Sequence, residues 1–79
     1  MKFKSIHTDY DRYYALGIDE ESNDYILEVV VGGVGMYMEY FHLTPDQYLN
    51  YPKNKAEIDK LAYECGKGRK PELRINTRN

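Results

Sequence analysis

The sequence has one cysteine, no tryptophan and no long apolar run. A single Cys65 excludes an internal disulfide framework and a multi-cysteine zinc site. No apolar segment approaches the roughly 20 residues that a membrane-spanning helix needs. Residues 1–7 also lack the apolar stretch of a secretory signal peptide, so we expect a cytoplasmic location without membrane attachment.

Lysine and arginine are missing from a long stretch of the chain. None occurs between Arg12 and Lys53, whereas this stretch holds seven acids: Asp19, Glu20, Glu21, Asp24, Glu28, Glu39 and Asp46. Residues 1–52 contain nine acids and three bases, and residues 53–79 contain four acids and eight bases. A field of one sign steers a partner of opposite charge. The acidic half therefore indicates a cationic partner, although it is also typical of a solubilising surface.

Tyrosine is the abundant aromatic residue, with nine tyrosines against two phenylalanines. Its ring is apolar while its hydroxyl can stay hydrated, so tyrosine suits half-buried sheet faces and protein interfaces equally. With 79 residues, 42% hydrophobic and 30% charged, the chain is expected to form one small globular domain over residues 1–79. The composition leaves open whether the tyrosines fill a core or form a contact surface.

The first half of the chain has the pattern of strands. Tyr13–Ile18 and Tyr25–Val31 are β-prone runs separated by a polar turn over residues 19–24, and a third strand is predicted from Gly35 to Leu43. Lys2–Ile6 is a weaker candidate for an edge strand. Gly32-Gly33 is typical of a tight hairpin turn.

A two-residue turn at Gly32-Gly33 sets the faces of this hairpin. It pairs Val31 with Val34 and Leu27 with Met38, which places Met36, Met38 and Tyr40 on the core side. The opposite face then carries Glu28 beside Tyr37, Glu39 and Phe41. A longer loop would send Met36, Met38 and Tyr40 to the other face.

The second half has the pattern of two helices over about residues 45–65. Thr44 and Gln47 form a capping box around Pro45, and Pro52 keeps this first helix short. The second helix starts near Asn54 and carries an apolar stripe at i, i+3, i+4 and i+7 that ends at Cys65, with Gly66 as its stop.

Residues 67–79 are predicted as a basic tail, in which Leu73 and Ile75 could form a last short strand. The pattern predicts an α+β fold in which two helices pack on one face of an antiparallel meander of three or four strands.

Groups that carry chemistry are sparse. Cys65 lies on the apolar stripe, and His42 has no second metal ligand at a useful spacing. The glycines at 32, 33 and 35 lead into a strand and not into a helix, which argues against a phosphate loop. We expect no enzymatic activity, no cofactor and no metal. The basic cluster Lys67–Lys70 is too small to predict nucleic-acid binding against a pI of about 5.6.

The segment from Tyr14 to Leu43-Thr44-Pro45 resembles small immunity proteins of bacterial polymorphic-toxin and contact-dependent inhibition systems. The resemblance rests on Tyr14–Asp19, on Tyr25–Gly33 with its diglycine, on Met36–Phe41 and on the helix entry at Leu43. It implies a protein that binds a cognate toxin domain and neutralises it stoichiometrically. Many such toxins are nucleases with cationic grooves, which an acidic aromatic surface can occupy. The resemblance brings no catalytic residues with it.

We place the toxin-binding site on the sheet face that the helices leave uncovered and on the neighbouring acidic turn. The predicted contact residues are Asp19, Glu20, Glu21, Asp24, Glu28, Tyr37, Glu39 and Phe41. An alternative is a small regulatory or adaptor domain that forms a homodimer through the same open face.

Overall fold

The computed structural model describes residues 1–32 and 35–76. Their elements are β1 (Phe3–Asp9), β2 (Tyr14–Asp19), β3 (Tyr25–Val31), β4 (Tyr37–His42), α1 (Pro45–Leu49), α2 (Lys55–Gly66), a 3-10 turn (Pro71–Leu73) and β5 (Arg74–Ile75). The five strands form one antiparallel sheet in the order β1-β2-β3-β4-β5. The predicted α+β fold, a meander followed by two helices, is confirmed. The two weakly predicted strands are both present as the edge strands of the sheet.

The predicted register of the central hairpin is wrong. Val31 pairs with Tyr37, Val29 with Glu39 and Leu27 with Phe41, so five residues, 32–36, connect β3 to β4. Because the connection is three residues longer than the predicted turn, the two faces of β4 are exchanged. The predicted pairing at Val34 and the turn position at Gly33 lie outside the described residues. Gly32 (φ 92°) and Gly35 (φ 74°) take left-handed backbone conformations on either side of them.

The reason for this register lies in the core. Phe41 faces the helices and is only 2% exposed, whereas the competing residue Met38 is 53% exposed. The longer connection therefore buries a phenylalanine, which has no polar atom to satisfy, in preference to Met38 and Tyr40.

The helices begin where the sequence predicts. Thr44 Oγ1 accepts a hydrogen bond from Gln47 N (3.1 Å), and Gln47 Oε1 accepts one from Thr44 N (2.9 Å), which completes the capping box of α1. Asn54 is the N-cap residue of α2, without a side-chain capping bond.

The end of α2 differs from the prediction, because Gly68 (φ 73°) and not Gly66 takes the left-handed position after the helix. Arg69 N then donates to Glu64 O (3.0 Å), as in a Schellman motif.

One face of the sheet, which we call the helix face, packs against both helices. Its fully buried side chains are Leu16, Leu27 and Phe41 from the sheet and Ile58 and Cys65 from α2. Burial raises the pKa of the Cys65 thiol to about 11. Leu73 of the 3-10 turn also packs on this core, so residues 71–75 are held against the sheet and do not form the predicted basic tail.

The other face of the sheet is concave. The strand pairing places Phe3, Gly17, Ile26 and Tyr40 on it, and the Phe3 and Tyr40 ring centroids lie 5.4 Å apart although β2 and β3 separate their strands. A flat sheet would hold β1 and β4 about 14 Å apart, so the sheet curls strongly towards this face. Gly17 permits the curl, because a Cβ there would stand 2.1 Å from the carbonyl oxygen of Lys4.

The curl closes half of the concave face. Phe3 and Tyr40 lie over Ile26, which is 1% exposed without any help from the helices. The prediction that this whole face is open therefore holds only for the half nearer the β1–β2 turn. No helix in the described ranges has the length and apolarity needed to cross a membrane.

Candidate partner-binding surface

The predicted contact residues do not form one surface. The acidic turn between β2 and β3 lies at one end of the sheet, and Tyr37 lies at the other, together with the β1–β2 turn. The length of β3, about 20 Å, separates these two ends. Glu28 lies between them on the concave face, opposite Tyr40.

Three of the predicted residues, Tyr37, Glu39 and Phe41, lie on the helix face. Phe41 is part of the core, so its predicted exposure is wrong. Glu39 is the cross-strand neighbour of Val29 on that face, and its carboxylate forms an ion pair with Arg74 Nη2 at 2.7 Å. Both placements follow from the exchanged faces of β4. Tyr37 pairs with Val31, so it too lies on the helix face and not on the predicted open face, although it is 57% exposed.

The acidic turn uses half of its acids to hold its own shape. The Asp19 carboxylate accepts hydrogen bonds from the backbone N–H groups of Lys2 (3.1 Å) and Glu21 (3.0 Å) and from the Ser22 hydroxyl (2.9 Å), and these bonds lower the pKa of Asp19. The same hydroxyl lies 2.9 Å from Asp24. Glu20 and Glu21 are exposed, with Glu21 Oε1 3.0 Å from the amino nitrogen of Met1. The turn therefore presents fewer available charges than its sequence suggests.

The open half of the concave face forms a groove, which we call the Glu28 groove. It has a volume of about 180 Å³ and is lined by Thr8, Asp9, Tyr10, Tyr13, Tyr14, Ala15, Glu28, Val30 and Met38. The side chains of Asp9 and Tyr14 bond to α2 on the other side of the sheet. Tyr10 is 83% exposed and Tyr13 64% exposed, so large apolar groups stand beside a single carboxylate. The groove is smaller than the roughly 300–1,000 Å³ of typical cofactor sites.

Tyr40 is the cross-strand neighbour of Glu28 on the concave face. Desolvation and the neighbouring Glu28 carboxylate raise the pKa of Tyr40, so its hydroxyl keeps its proton and can donate towards Glu28. An ionised carboxylate has about four acceptor positions, so Glu28 can still accept bonds from a ligand.

The β1–β2 turn places the two groove tyrosines. Asp9 Oδ1 accepts hydrogen bonds from the backbone N–H groups of Asp11 (2.9 Å) and Arg12 (3.0 Å) and so fixes the start of the turn. Tyr13 closes the turn with a φ of 58°, a left-handed conformation that is rare for an aromatic residue. Its carbonyl accepts a bond from Val30 N (3.0 Å), so the unusual backbone is tied directly to β3.

A polar network on the helix face fixes α2 to the first two strands. Lys55 Nζ lies 2.6 Å from Asp9 Oδ2 and 3.0 Å from Asp59 Oδ1, and the Tyr14 hydroxyl donates to Asp59 at 2.6 Å. The bond with Lys55 lowers the pKa of Asp9, and the bond from Tyr14 lowers that of Asp59. The two carboxylates in turn raise the pKa of Lys55. These charges are paired with one another, so we assign the network to packing.

Sequence reasoning missed both the groove and the network. The groove joins residues 8–13 to Glu28, Val30 and Met38, and the network joins Asp9 to a helix 46 residues later. The available signal was the turn Tyr10-Asp11-Arg12-Tyr13, whose two tyrosines are unusual in a short polar connection. Comparisons with protein-family models, with curated proteins and with solved structures found no match for this chain.

Proposed function

We propose that this chain is an immunity protein that binds a cognate bacterial toxin domain stoichiometrically and blocks it. The main support is the distribution of exposed apolar groups. Of the nine large apolar side chains that are exposed in the described ranges, five lie at the Tyr13 end of the sheet: Tyr10, Tyr13, Met36, Tyr37 and Met38. Three of them, Tyr10, Tyr13 and Met38, line the Glu28 groove, and exposed apolar groups with aromatic anchors are typical of a protein interaction site.

The charge distribution supports a cationic partner. The strand positions of the concave face include Asp19 and Glu28 and, among the described residues, no lysine or arginine, whereas Lys55 and Arg74 form ion pairs on the helix face. A nuclease domain with a basic substrate groove fits a surface of this sign.

The test is co-expression with the product of the adjacent upstream gene. We expect that product to stop growth alone, growth to return when this chain is co-expressed, and the two proteins to form a 1:1 complex. The association rate should fall as salt is raised, while the dissociation rate changes less. A neighbour that is not toxic, or toxicity that this chain does not relieve, would contradict the proposal.

The alternative, a regulatory or adaptor domain that forms a homodimer, has its own support. The exposed side chains of Tyr10, Tyr13 and Met38, which line the Glu28 groove, would also be buried against a second copy of the chain. Sedimentation of the isolated chain separates the two functions, because the immunity function predicts a monomer that gains mass only with toxin.

A further inference from the structure

We propose that the Glu28 groove receives an arginine side chain of the partner protein. This inference deepens the proposed function, because it names the chemistry of the partner at one position. Three features of the groove support it: a carboxylate on the floor, two tyrosine rings at the mouth, and a volume suited to one long side chain.

The Glu28 carboxylate is available to a cation. None of the ion pairs formed among residues 1–32 and 35–76 uses Glu28, whereas Asp9, Glu39 and Asp59 all have a cationic partner. Its cross-strand neighbour Tyr40 is a neutral donor. A guanidinium can bind a carboxylate through two parallel N–H···O bonds, which gives arginine a geometric advantage over lysine.

The walls also suit a guanidinium. Tyr10 and Tyr13 stand at the mouth with exposed rings, and a guanidinium stacks on aromatic faces. Val30 and Met38 supply apolar surface for the methylene groups of the arginine stem. The volume of about 180 Å³ accommodates a side chain but not a whole peptide segment.

The first test uses the isolated chain and a small probe. N-acetyl-arginine methylamide is titrated into isotope-labelled protein, and the methyl signals of Ala15, Val30 and Met38 are followed by NMR. We expect saturable shifts confined to the groove that weaken with added salt and are lost in Glu28→Gln. The neutral citrulline analogue is the matched control and should give no such shifts.

The second test measures affinity for the toxin. Glu28→Gln should weaken binding by about tenfold or more, whereas Glu57→Gln, which removes the same charge from an exposed position on α2, should change it by less than about threefold. Tyr10→Ala should also weaken binding, and Tyr63→Ala, an equally large truncation on the exposed side of α2, should not. The amide introduced by Glu28→Gln has the same shape as the carboxylate and keeps an acceptor oxygen for the neighbouring Tyr40 hydroxyl, so we expect this variant to fold normally.

The outcomes separate this inference from the proposed function. If the parent binds and neutralises the toxin while Glu28→Gln binds equally well, the inference is wrong and the function stands. If no toxin is found but the arginine probe occupies the groove, the function fails and the groove remains a guanidinium site. Equal shifts with the citrulline analogue, or groove signals that depend on protein concentration alone, would overturn the inference, the latter in favour of a second copy of this chain.

Discussion

At the scale of one residue, Tyr13 combines a backbone conformation that lowers stability with an exposed ring at the Glu28 groove. A non-glycine residue in the left-handed region costs on the order of 1–2 kcal/mol, yet the turn places a tyrosine there with φ 58°. The strained backbone directs an exposed ring to the mouth of the Glu28 groove. A residue that served only to close the turn would be better as glycine.

Replacing Tyr13 with glycine should therefore separate stability from binding. Tyr13→Gly relieves the backbone strain while making the unfolded chain more flexible, so the free energy of unfolding should stay within about 1 kcal/mol of the parent. Affinity for the partner should fall by about 1 kcal/mol or more, because an aromatic anchor is lost. Urea unfolding and calorimetric titration measure the two quantities. Asn23→Gly is the matched control, since Asn23 has φ 63° in the opposite turn and should change neither quantity strongly.

Element by element, the sequence predicted most of the fold because local patterns determine it. The strand Tyr25–Val31 and the capping box at Thr44 and Gln47 occur as predicted, since β-branched density and capping chemistry act over a few residues. The two faces of β4 were predicted wrongly, because they depend on the number of residues that connect β3 to β4. That number is set by which side chain reaches the core, and Phe41 displaces Tyr40 from it.

The same dependence on the length of the β3–β4 connection explains which contact residues were placed correctly and which were not. Glu28 lies on the uncovered face as predicted, because the alternation along β3 was predicted correctly. Tyr37, Glu39 and Phe41 were assigned to that face through the β4 register and lie on the other one. Phe3 and Gly17, which close half of the concave face, give no local signal of their contact with Tyr40, since the curvature of the sheet is a property of all its strands.

The register of β4 has a direct test in three truncations. Phe41→Ala should cost about 3–5 kcal/mol of unfolding free energy, because it leaves a cavity among Leu27 and Ile58. Met38→Ala and Tyr37→Ala remove side chains that are more than half exposed and should each cost under about 1 kcal/mol. Urea unfolding gives all three values. The hairpin with a two-residue turn predicts the opposite order for Phe41 and Met38, so a large loss in Met38→Ala would contradict the register found here.

At the scale of the whole molecule, the sheet and the helical layer are joined by charge as well as by the core. Asp9 on β1, Tyr14 on β2 and both Lys55 and Asp59 on α2 form one network, so the helix holds two strands at a fixed angle. The groove lies on the opposite side of these strands, and Asp9 also fixes the turn that carries its tyrosines. Stability and binding geometry are therefore linked through Asp9.

The network predicts a stability plateau bounded at both ends of the pH range. The folded-state pKa values of Asp9 and Asp59 are lowered by their partners, so their stabilisation is complete above the unfolded values near 4 and is lost as the pH falls through the folded values. The pKa values of Lys55 and Tyr14 are raised, so their contribution is present below about pH 10 and is lost above it. The urea midpoint should stay level between about pH 5 and 9 and decline on either side.

The double variant Asp9→Asn, Asp59→Asn should lower the midpoint at pH 7, and its difference from the parent should shrink towards about pH 2, where both proteins lack these charges. Glu20→Gln, an exposed acid outside the network, should leave the shape of the curve unchanged. Parallel curves for the parent and the double variant would show that the contact between the helix and the strands does not depend on these charges.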